Sequence, residues 1–258
     1  MKRFDVLWSG SRRTDMPHKP VAVVAAMRIE LAPLLGEVKP RQVNGVALFE
    51  LAQAVVAVGG IGERCARRAA EVAIDYAQPG LLLSAGIAGA ISPKLKVGDV
   101  GRIREVVDVA TGNRYPTRGG DWVLATSQDV SDADEKQGLL TKYGADVVDM
   151  EGAAVAQIAK EHGLEFAAVK SISDDAGFAM PPLMRFIDKN GKFANGHFLL
   201  YLVSRPKWWP VMRKIRANTA VASANLCREV KHLIGQYSMS PREENVPLVW
   251  VPGKSECR

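Results

Sequence analysis

Three carboxylates follow apolar stretches that have the composition of buried strands. Glu30 comes after VAVVAAM (residues 21–27), Glu151 after VVDM (147–150) and Asp174 after VKSIS (169–173). Taken singly, a carboxylate in such a position is most often a helix cap. Three of them, with the glycine-bearing stretch GIAG (86–89) at a fourth strand end, predict a ligand site at the carboxyl edge of an α/β sheet. Such carboxylates can bind hydroxyl groups and act as general acids or bases.

The glycine-rich stretches do not fit the common nucleotide-binding motifs. Gly60 and Gly62 precede a predicted helix, but Cys65 stands where a dinucleotide-binding motif requires glycine. The stretch 86–89 is not followed by the Lys-Ser or Lys-Thr pair of a phosphate-binding P-loop. Its small residues instead favour close approach of a ligand to the backbone.

Apolar runs of strand length alternate with helical patterns from residue 21 to residue 172, which predicts an α/β domain. The predicted strands are 21–27, the hairpin 46–51 and 54–58, a buried strand from Leu81 that opens into the 86–89 loop, and 99–109, 123–127, 145–149 and 166–172. The predicted helices begin near Arg28 and cover 63–76, 132–143, 151–162 and 210–234. Residues 110–120 are predicted to form a loop, and residues 178–207 a long loop with a short helix.

Length and composition favour one globular domain. The chain has 258 residues, of which 47% are hydrophobic and 24% charged. We expect an N-terminal tail over residues 1–19, a single domain over 20–235 and a C-terminal tail over 236–258. No apolar run reaches the roughly 18 to 20 residues that a membrane-spanning helix needs. Three widely spaced cysteines suggest neither disulfides nor a zinc site, and a cytoplasmic location is expected.

The net charge of +6 is concentrated in one segment. Residues 205–231 contain seven lysines and arginines and a single glutamate, so a nucleic-acid-binding function would depend on that segment alone. Only Trp208 and Trp209 stand among its charges as stacking residues, and nucleic-acid binding is therefore not favoured.

Three stretches together resemble a known superfamily. SAGIAGAISPKLKVGDV (84–100), VVDMEGAAVAQIAKEHGLEFAAVKSISDDAG (147–177) and VAVVAAMRIELAPLL (21–35) are similar to the signature blocks of the purine nucleoside phosphorylases and methylthioadenosine/S-adenosylhomocysteine nucleosidases. The similarity covers about residues 21–177. It implies a three-layer α/β/α sandwich with a central mixed sheet, and an enzyme that cleaves N-glycosidic bonds.

The resemblance also implies a role for each candidate residue. Asp174 matches the acid that serves N7 of the leaving purine, and Glu30 the glutamate that helps to activate the attacking water. Asp174 would need a proton near neutral pH, which requires burial or a neighbouring negative charge. Glu151 matches the glutamate that accepts hydrogen bonds from the ribose hydroxyls, a role suited to an ionised carboxylate. The predicted substrate contacts are completed by Met150, Ala85, Gly86, Ile87, Ser173 and Val130.

Two departures from the family pattern bear on the reaction. Arg28 stands where many nucleosidases carry an acidic residue, and it could place positive charge near the nucleophile or bind phosphate. The stretch VLATSQDVSD (123–132) has no phenylalanine at the position of the family's base-stacking residue, near Val130.

The region after Asp174 is similar to the C-terminal part of the hopanoid-biosynthesis phosphorylases. It favours phosphorolytic release of adenine from adenosylhopane, with inorganic phosphate as co-substrate and no metal or other cofactor. The alternatives are a hydrolytic methylthioadenosine/S-adenosylhomocysteine nucleosidase and a nucleoside-binding protein without activity. The resemblance suggests a homodimer.

The basic stretch from Arg205 to Arg216, with Trp208 and Trp209, has the composition of a helix that rests on a membrane surface. Peripheral contact with the inner face of the membrane and a lipid-linked nucleoside would fit it. A solvated helix face explains the same residues with at least equal weight.

Overall fold

The computed structural model describes residues 19–128, 133–177 and 209–239. Within these ranges the strands are β1 Val21–Ala25, β2 Arg41–Val43, β3 Val46–Glu50, β4 Ala54–Val58, β5 Leu81–Ala90, β6 Val100–Asp108, β7 Arg114–Pro116, β8 Trp122–Thr126, β9 Val147–Asp149 and β10 Glu165–Asp174. The helices are a 3₁₀ turn Arg28–Leu31, α1 Ala32–Leu35, α2 Glu63–Ala77, α3 Ala133–Tyr143, α4 Gly152–Glu161 and α5 Trp209–Met239.

One mixed sheet contains all the described strands. β1 lies parallel between β4 and β5, while β3 and β2 extend that edge in antiparallel pairing. On the other side β5 pairs with both β10 and β9, and β6 and β8 connect those two strands. The five strands β5, β10, β6, β8 and β9 therefore close into a ring at one end of the sheet.

Helices cover both faces of the sheet. The strands are apolar on both sides, so alternate residues of β1 enter different cores: Ala22 and Val24 pack with α2 and α4, and Val21 and Val23 pack with α5. α2 contacts α4 on one face, and α1 contacts α5 on the other. This arrangement confirms the predicted three-layer α/β/α sandwich with a central mixed sheet.

The glycine stretch of residues 86–89 is not a loop, contrary to the sequence-based prediction. β5 continues through Gly86 and Gly89 to Ala90, because β10 pairs with it along almost its whole length. The glycines make room for other side chains. A Cβ at Gly86 would lie 3.2 Å from Oε1 of Glu30, and one at Gly89 would lie 2.9 Å from Oδ2 of Asp174.

Other element boundaries also differ from the predictions. The predicted loop 110–120 contains β7, which pairs with β6, and β2 was not predicted at all. The last helix extends from Trp209 to Met239, beyond the predicted end at 234 and into the segment predicted as a tail. The predicted loop 178–207 lies outside the described residues, and the domain boundaries at 20 and 235 stay predictions. Among the helices of the described ranges, none has the combination of length and apolarity that crossing a membrane would require.

Candidate active site

Glu30 lies in the 3₁₀ turn that follows β1 and is 3% exposed. Its Oε2 accepts a hydrogen bond from the Met27 N–H at 2.8 Å, and its Oε1 accepts one from the Ile87 N–H at 3.2 Å. Burial raises the pKa of Glu30 above its usual value, and these hydrogen bonds and the charge of Lys170 offset only part of that rise. The turn thus directs a carboxylate with weakened acidity towards the middle of β5.

Glu151 stands between β9 and α4, opposite the N-terminus of α2. Its Oε1 accepts a hydrogen bond from the Gly62 N–H at 2.7 Å. Burial, followed by the nearby charge of Asp149, raises the pKa of Glu151 to about 8. The raised pKa favours the protonated form of this carboxyl group, and the predicted role of an ionised Glu151 as acceptor for the ribose hydroxyls stays a prediction. Burial is the main cause of the raised pKa, and the charge of Asp149, two residues earlier in the chain, adds to it.

A buried ion pair lies beside the two glutamates. Lys170 Nζ is 2.7 Å from Asp149 Oδ2, and the two side chains are 3% and 1% exposed. Burial lowers the pKa of Lys170, but the charge of Asp149, with those of Glu151 and Glu30, outweighs it and the net pKa is raised. Lys170 Nζ also donates to Ser84 Oγ at 3.3 Å. This cluster therefore contains a fixed positive charge.

Asp149 is held in place from several sides. Its Oδ1 accepts a hydrogen bond from Thr126 Oγ1 at 2.7 Å, and its Oδ2 accepts one from the Gly152 N–H at 3.0 Å at the start of α4. The carboxylate thus fixes the position of Lys170 and caps the helix that follows Glu151.

A small cavity joins these groups. Its volume is about 10 Å³, roughly the room needed by one water molecule. Its polar groups come from Glu30, Glu151, Lys170 and Ser84, and its remaining wall includes Ala85, Gly86, Val24, Ala25, Ala26, Gly60, Ala66 and Val155. The structure thus brings together the predicted residues Glu30, Glu151, Ala85 and Gly86, while Ile87 contributes through its hydrogen bond to Glu30.

Asp174 and Ser173 are not among the described residues that line this cavity. Asp174 ends β10 opposite Gly89, three residues along β5 from Gly86, or about 10 Å in an extended strand. Asp174 is buried, which is one of the two conditions under which it was predicted to hold a proton near neutral pH. The neighbouring charge is positive rather than negative, since Lys136 Nζ lies 2.8 Å from Asp174 Oδ2. Ser173 Oγ donates to Asp174 Oδ1 at 2.8 Å.

Two further residues from the sequence analysis, Met150 and Arg28, lie away from this cavity. Met150 lines a second, larger cavity of about 470 Å³, together with Thr126, Ser127, Gln128 and residues of α2 and α4. Val130 lies outside the described residues. The guanidinium of Arg28 donates to the Gly36 carbonyl at 3.2 Å and lies over the ring of Phe49, so it is not directed into the small cavity. Lys170, rather than Arg28, supplies the positive charge beside Glu30.

Three charged residues near the candidate site were not predicted from the sequence. Lys170 could have been noticed, because a lysine inside the mostly apolar predicted strand 166–172 must find a buried partner. Asp149, two residues before Glu151, could have been noticed for the same reason, because it is a charged residue in the predicted strand 145–149. Lys136 could not have been noticed in this way, because a lysine on a helix is ordinarily exposed. In the described ranges, no group of three or more His, Cys, Asp or Glu residues could hold a metal ion.

Comparison with protein families decides the relationship. The model of the phosphorylase superfamily matches residues 20–122 and 122–195, which is most of the chain. The chain belongs to the phosphorylase superfamily. The resemblance inferred from residues 21–35, 84–100 and 147–177 is thereby confirmed at the level of this superfamily. A special closeness to the hopanoid-biosynthesis phosphorylases is not shown.

Several named enzymes are similar to the chain in sequence or in fold. The 5′-methylthioadenosine/S-adenosylhomocysteine nucleosidase of Treponema pallidum is 27% identical over 206 residues, covering 58% of this chain and 77% of the relative. The nucleosidase of Colwellia psychrerythraea in complex with adenine has a TM-score of 0.65 at 20% identity, covering 86% of this chain and 97% of that structure. Futalosine hydrolase of Helicobacter pylori has a TM-score of 0.63 at 17% identity, covering 84% and 98%.

The structural likenesses confirm the predicted fold. Superfamily membership and the similarity to named nucleosidases confirm the predicted class of enzyme, one that cleaves N-glycosyl bonds.

Proposed function

We propose that the protein hydrolyses the N-glycosidic bond of a 5′-substituted adenosine such as methylthioadenosine and releases adenine. The observation that carries the proposal is the cavity that Glu30, Lys170 and Glu151 share, with room for about one water molecule. Such a site suits a water nucleophile better than a phosphate ion. The named nucleosidases to which the chain is similar favour the same reaction.

Glu30 acts on the attacking water. Burial raises the pKa of its carboxyl group, which makes the carboxylate a stronger base near neutral pH. The water oxygen forms a bond to C1′ as the C1′–N9 bond breaks, and Glu30 takes up a proton from the water. The sugar passes through a transition state with oxocarbenium character. Lys170 fixes the position of the water and of the surrounding carboxylates.

Glu151 and Asp174 bind the two ends of the nucleoside. Glu151 accepts hydrogen bonds from the ribose hydroxyls, and ligand binding is expected to favour its ionised form, because both hydroxyls are donors. Asp174 ends β10 opposite Gly89, which is about 10 Å along β5 from Gly86, and serves the purine. The electron pair of the broken C1′–N9 bond remains on the purine, which takes up a proton at N7.

One assay distinguishes hydrolysis from phosphorolysis, the reaction that the similarity of the C-terminal segment favours. Purified protein is incubated with methylthioadenosine, S-adenosylhomocysteine and a 5′-alkyl adenosine, with and without phosphate, and the products are separated. Hydrolysis predicts adenine and a free sugar in phosphate-free buffer. A sugar 1-phosphate that forms only with added phosphate would identify a phosphorylase. If adenine were released from the 5′-alkyl adenosine but from neither of the other two substrates, a lipid-linked substrate would be supported.

Two predictions concern partners. A homodimer is expected, and analytical ultracentrifugation tests it. Peripheral membrane contact would use the start of α5, where Trp209 is 53% exposed and Arg213, Lys214 and Arg216 are exposed. Sedimentation with vesicles containing anionic lipid tests that contact. If the protein remained in the supernatant at low salt, the exposed residues at the start of α5 would form an ordinary solvated helix face.

A further inference from the structure

A second buried ion pair lies apart from the cavity of Glu30 and Glu151. Lys136 of α3 and Asp174 of β10 are 2.8 Å apart, and their side chains are 5% and 9% exposed. Lys136 Nζ also donates to the Asp175 carbonyl at 3.4 Å. Burying two charges is costly, and a pair of apolar residues would serve packing as well or better. The pair therefore calls for a functional explanation.

The pair is fixed against β5. A Cβ at Gly89 would lie 2.9 Å from Asp174 Oδ2 and 3.3 Å from Lys136 Nζ, so the missing side chain of Gly89 makes room for both groups. The other carboxylate oxygen, Oδ1, accepts the hydrogen bond from Ser173 Oγ. Asp174 is thus held through both oxygens, and among the described residues the cation that contacts it is the ammonium group of Lys136.

We propose that Lys136 supplies the proton that the leaving purine receives, acting through Asp174. This inference rests on the proposed function. As the C1′–N9 bond breaks, its electron pair stays on the purine, an ammonium proton of Lys136 passes to the Asp174 carboxylate, and Asp174 passes a proton on to N7 and ends as the carboxylate it was at the start. Lys136 becomes a neutral amine and regains its proton from solvent. Lys136 contacts the base only through Asp174 and is therefore a positioning residue.

The alternative is that Asp174 by itself is the protonated acid. The two possibilities predict opposite effects of removing Lys136. If Lys136 is the proton source, its loss stops proton delivery. If Asp174 is the acid, removing the cation leaves a buried unpaired carboxyl group that takes up a proton more readily, and adenine release is maintained or increased.

The test compares two leaving groups in the Lys136→Met variant. For methylthioadenosine, we expect kcat to fall by about 10²-fold or more, with KM changed by less than about threefold. For 4-nitrophenyl 5-methylthioriboside, whose leaving group needs no proton, we expect a change below about threefold. Lys136→Arg, which keeps a cation, should recover part of the loss. In Lys136→Ala, added ethylammonium should restore adenine release.

Lys142→Met is the matched control, since Lys142 is an exposed lysine of the same helix and both rates should be unchanged. The inference is overturned if Lys136→Met keeps its rate of adenine release, if both substrates lose the same factor, or if ethylammonium has no effect on a folded Lys136→Ala protein. Wild-type protein that released adenine from no 5′-substituted adenosine would instead refute the proposed function.

Discussion

The raised pKa of Glu151 predicts that the folded protein loses stability as pH rises. The carboxyl group ionises near 4.5 in the unfolded chain and at about 8 in the folded protein. Below pH 4.5 it is protonated in both states and does not affect the free energy of unfolding. Between about 4.5 and 8 only the unfolded chain ionises, so stability falls as pH rises, and above about 8 the loss is complete.

The size of this loss follows from the shift. One pKa unit corresponds to about 1.4 kcal/mol, so a rise from 4.5 to about 8 sets an upper bound of roughly 5 kcal/mol. Glu151 keeps partial contact with water, and its titration depends on the charge of Asp149. We therefore expect a contribution of about 2 to 4 kcal/mol.

Urea unfolding of the wild type and of Glu151→Gln, measured between pH 5 and pH 9, isolates this contribution. The amide keeps an oxygen that can accept the hydrogen bond from Gly62 but does not titrate. The wild type should lose about 2 to 4 kcal/mol more than the variant over this range. Glu71→Gln, on the exposed side of α2, is the control and should follow the wild type. Equal pH dependence in the wild type and Glu151→Gln would refute the reasoning.

Three other predictions concern the same framework. Lys170→Met leaves the Asp149 carboxylate buried without its cation and should lower the free energy of unfolding by about 3 to 5 kcal/mol in urea titrations. Lys170→Arg keeps a cation and should lower the free energy of unfolding by less. An equal decrease in both variants would show that the positive charge is irrelevant to stability. Glu30→Gln should keep the fold, as checked by circular dichroism, but lower kcat for adenine release by about 10²-fold or more, and a near-normal kcat would exclude Glu30 as the base. Gly59→Ala places a Cβ 2.6 Å from the Cys65 carbonyl oxygen and should lower the free energy of unfolding by about 1 to 3 kcal/mol, as measured by thermal denaturation. Unchanged stability would mean that β4 and α2 can move apart to relieve this contact without loss of stability.

The layered fold could be predicted from the sequence because the patterns that indicate its strands and helices each lie within a short stretch of the chain. Continuous apolar runs such as residues 21–27 indicate strands buried on both faces, and the alanine stripe of α2 indicates a helix packed on them. The ring of β5, β10, β6, β8 and β9 was not predictable, because its closure depends on pairing between strands distant in the chain. For the same reason residues 86–89 were predicted as a loop, since glycine usually ends a strand and the pairing with β10 is not visible locally.

The candidate site was predictable only in part. Glu30 and Glu151 follow strands, and strand ends converge at one edge of an α/β sheet, so their approach could be expected. The environment of each carboxylate could not be expected, because it is set by residues distant in sequence. Lys170 reaches Asp149 from another strand, and Lys136 reaches Asp174 from a helix.

Incubation with methylthioadenosine in phosphate-free H₂¹⁸O tests the central claim most directly. The account predicts stoichiometric adenine and a free sugar that carries one ¹⁸O at C1, as measured by mass spectrometry, with no increase in rate on adding phosphate. A product that forms only with phosphate and contains no ¹⁸O at C1, or the absence of any adenine, would contradict it.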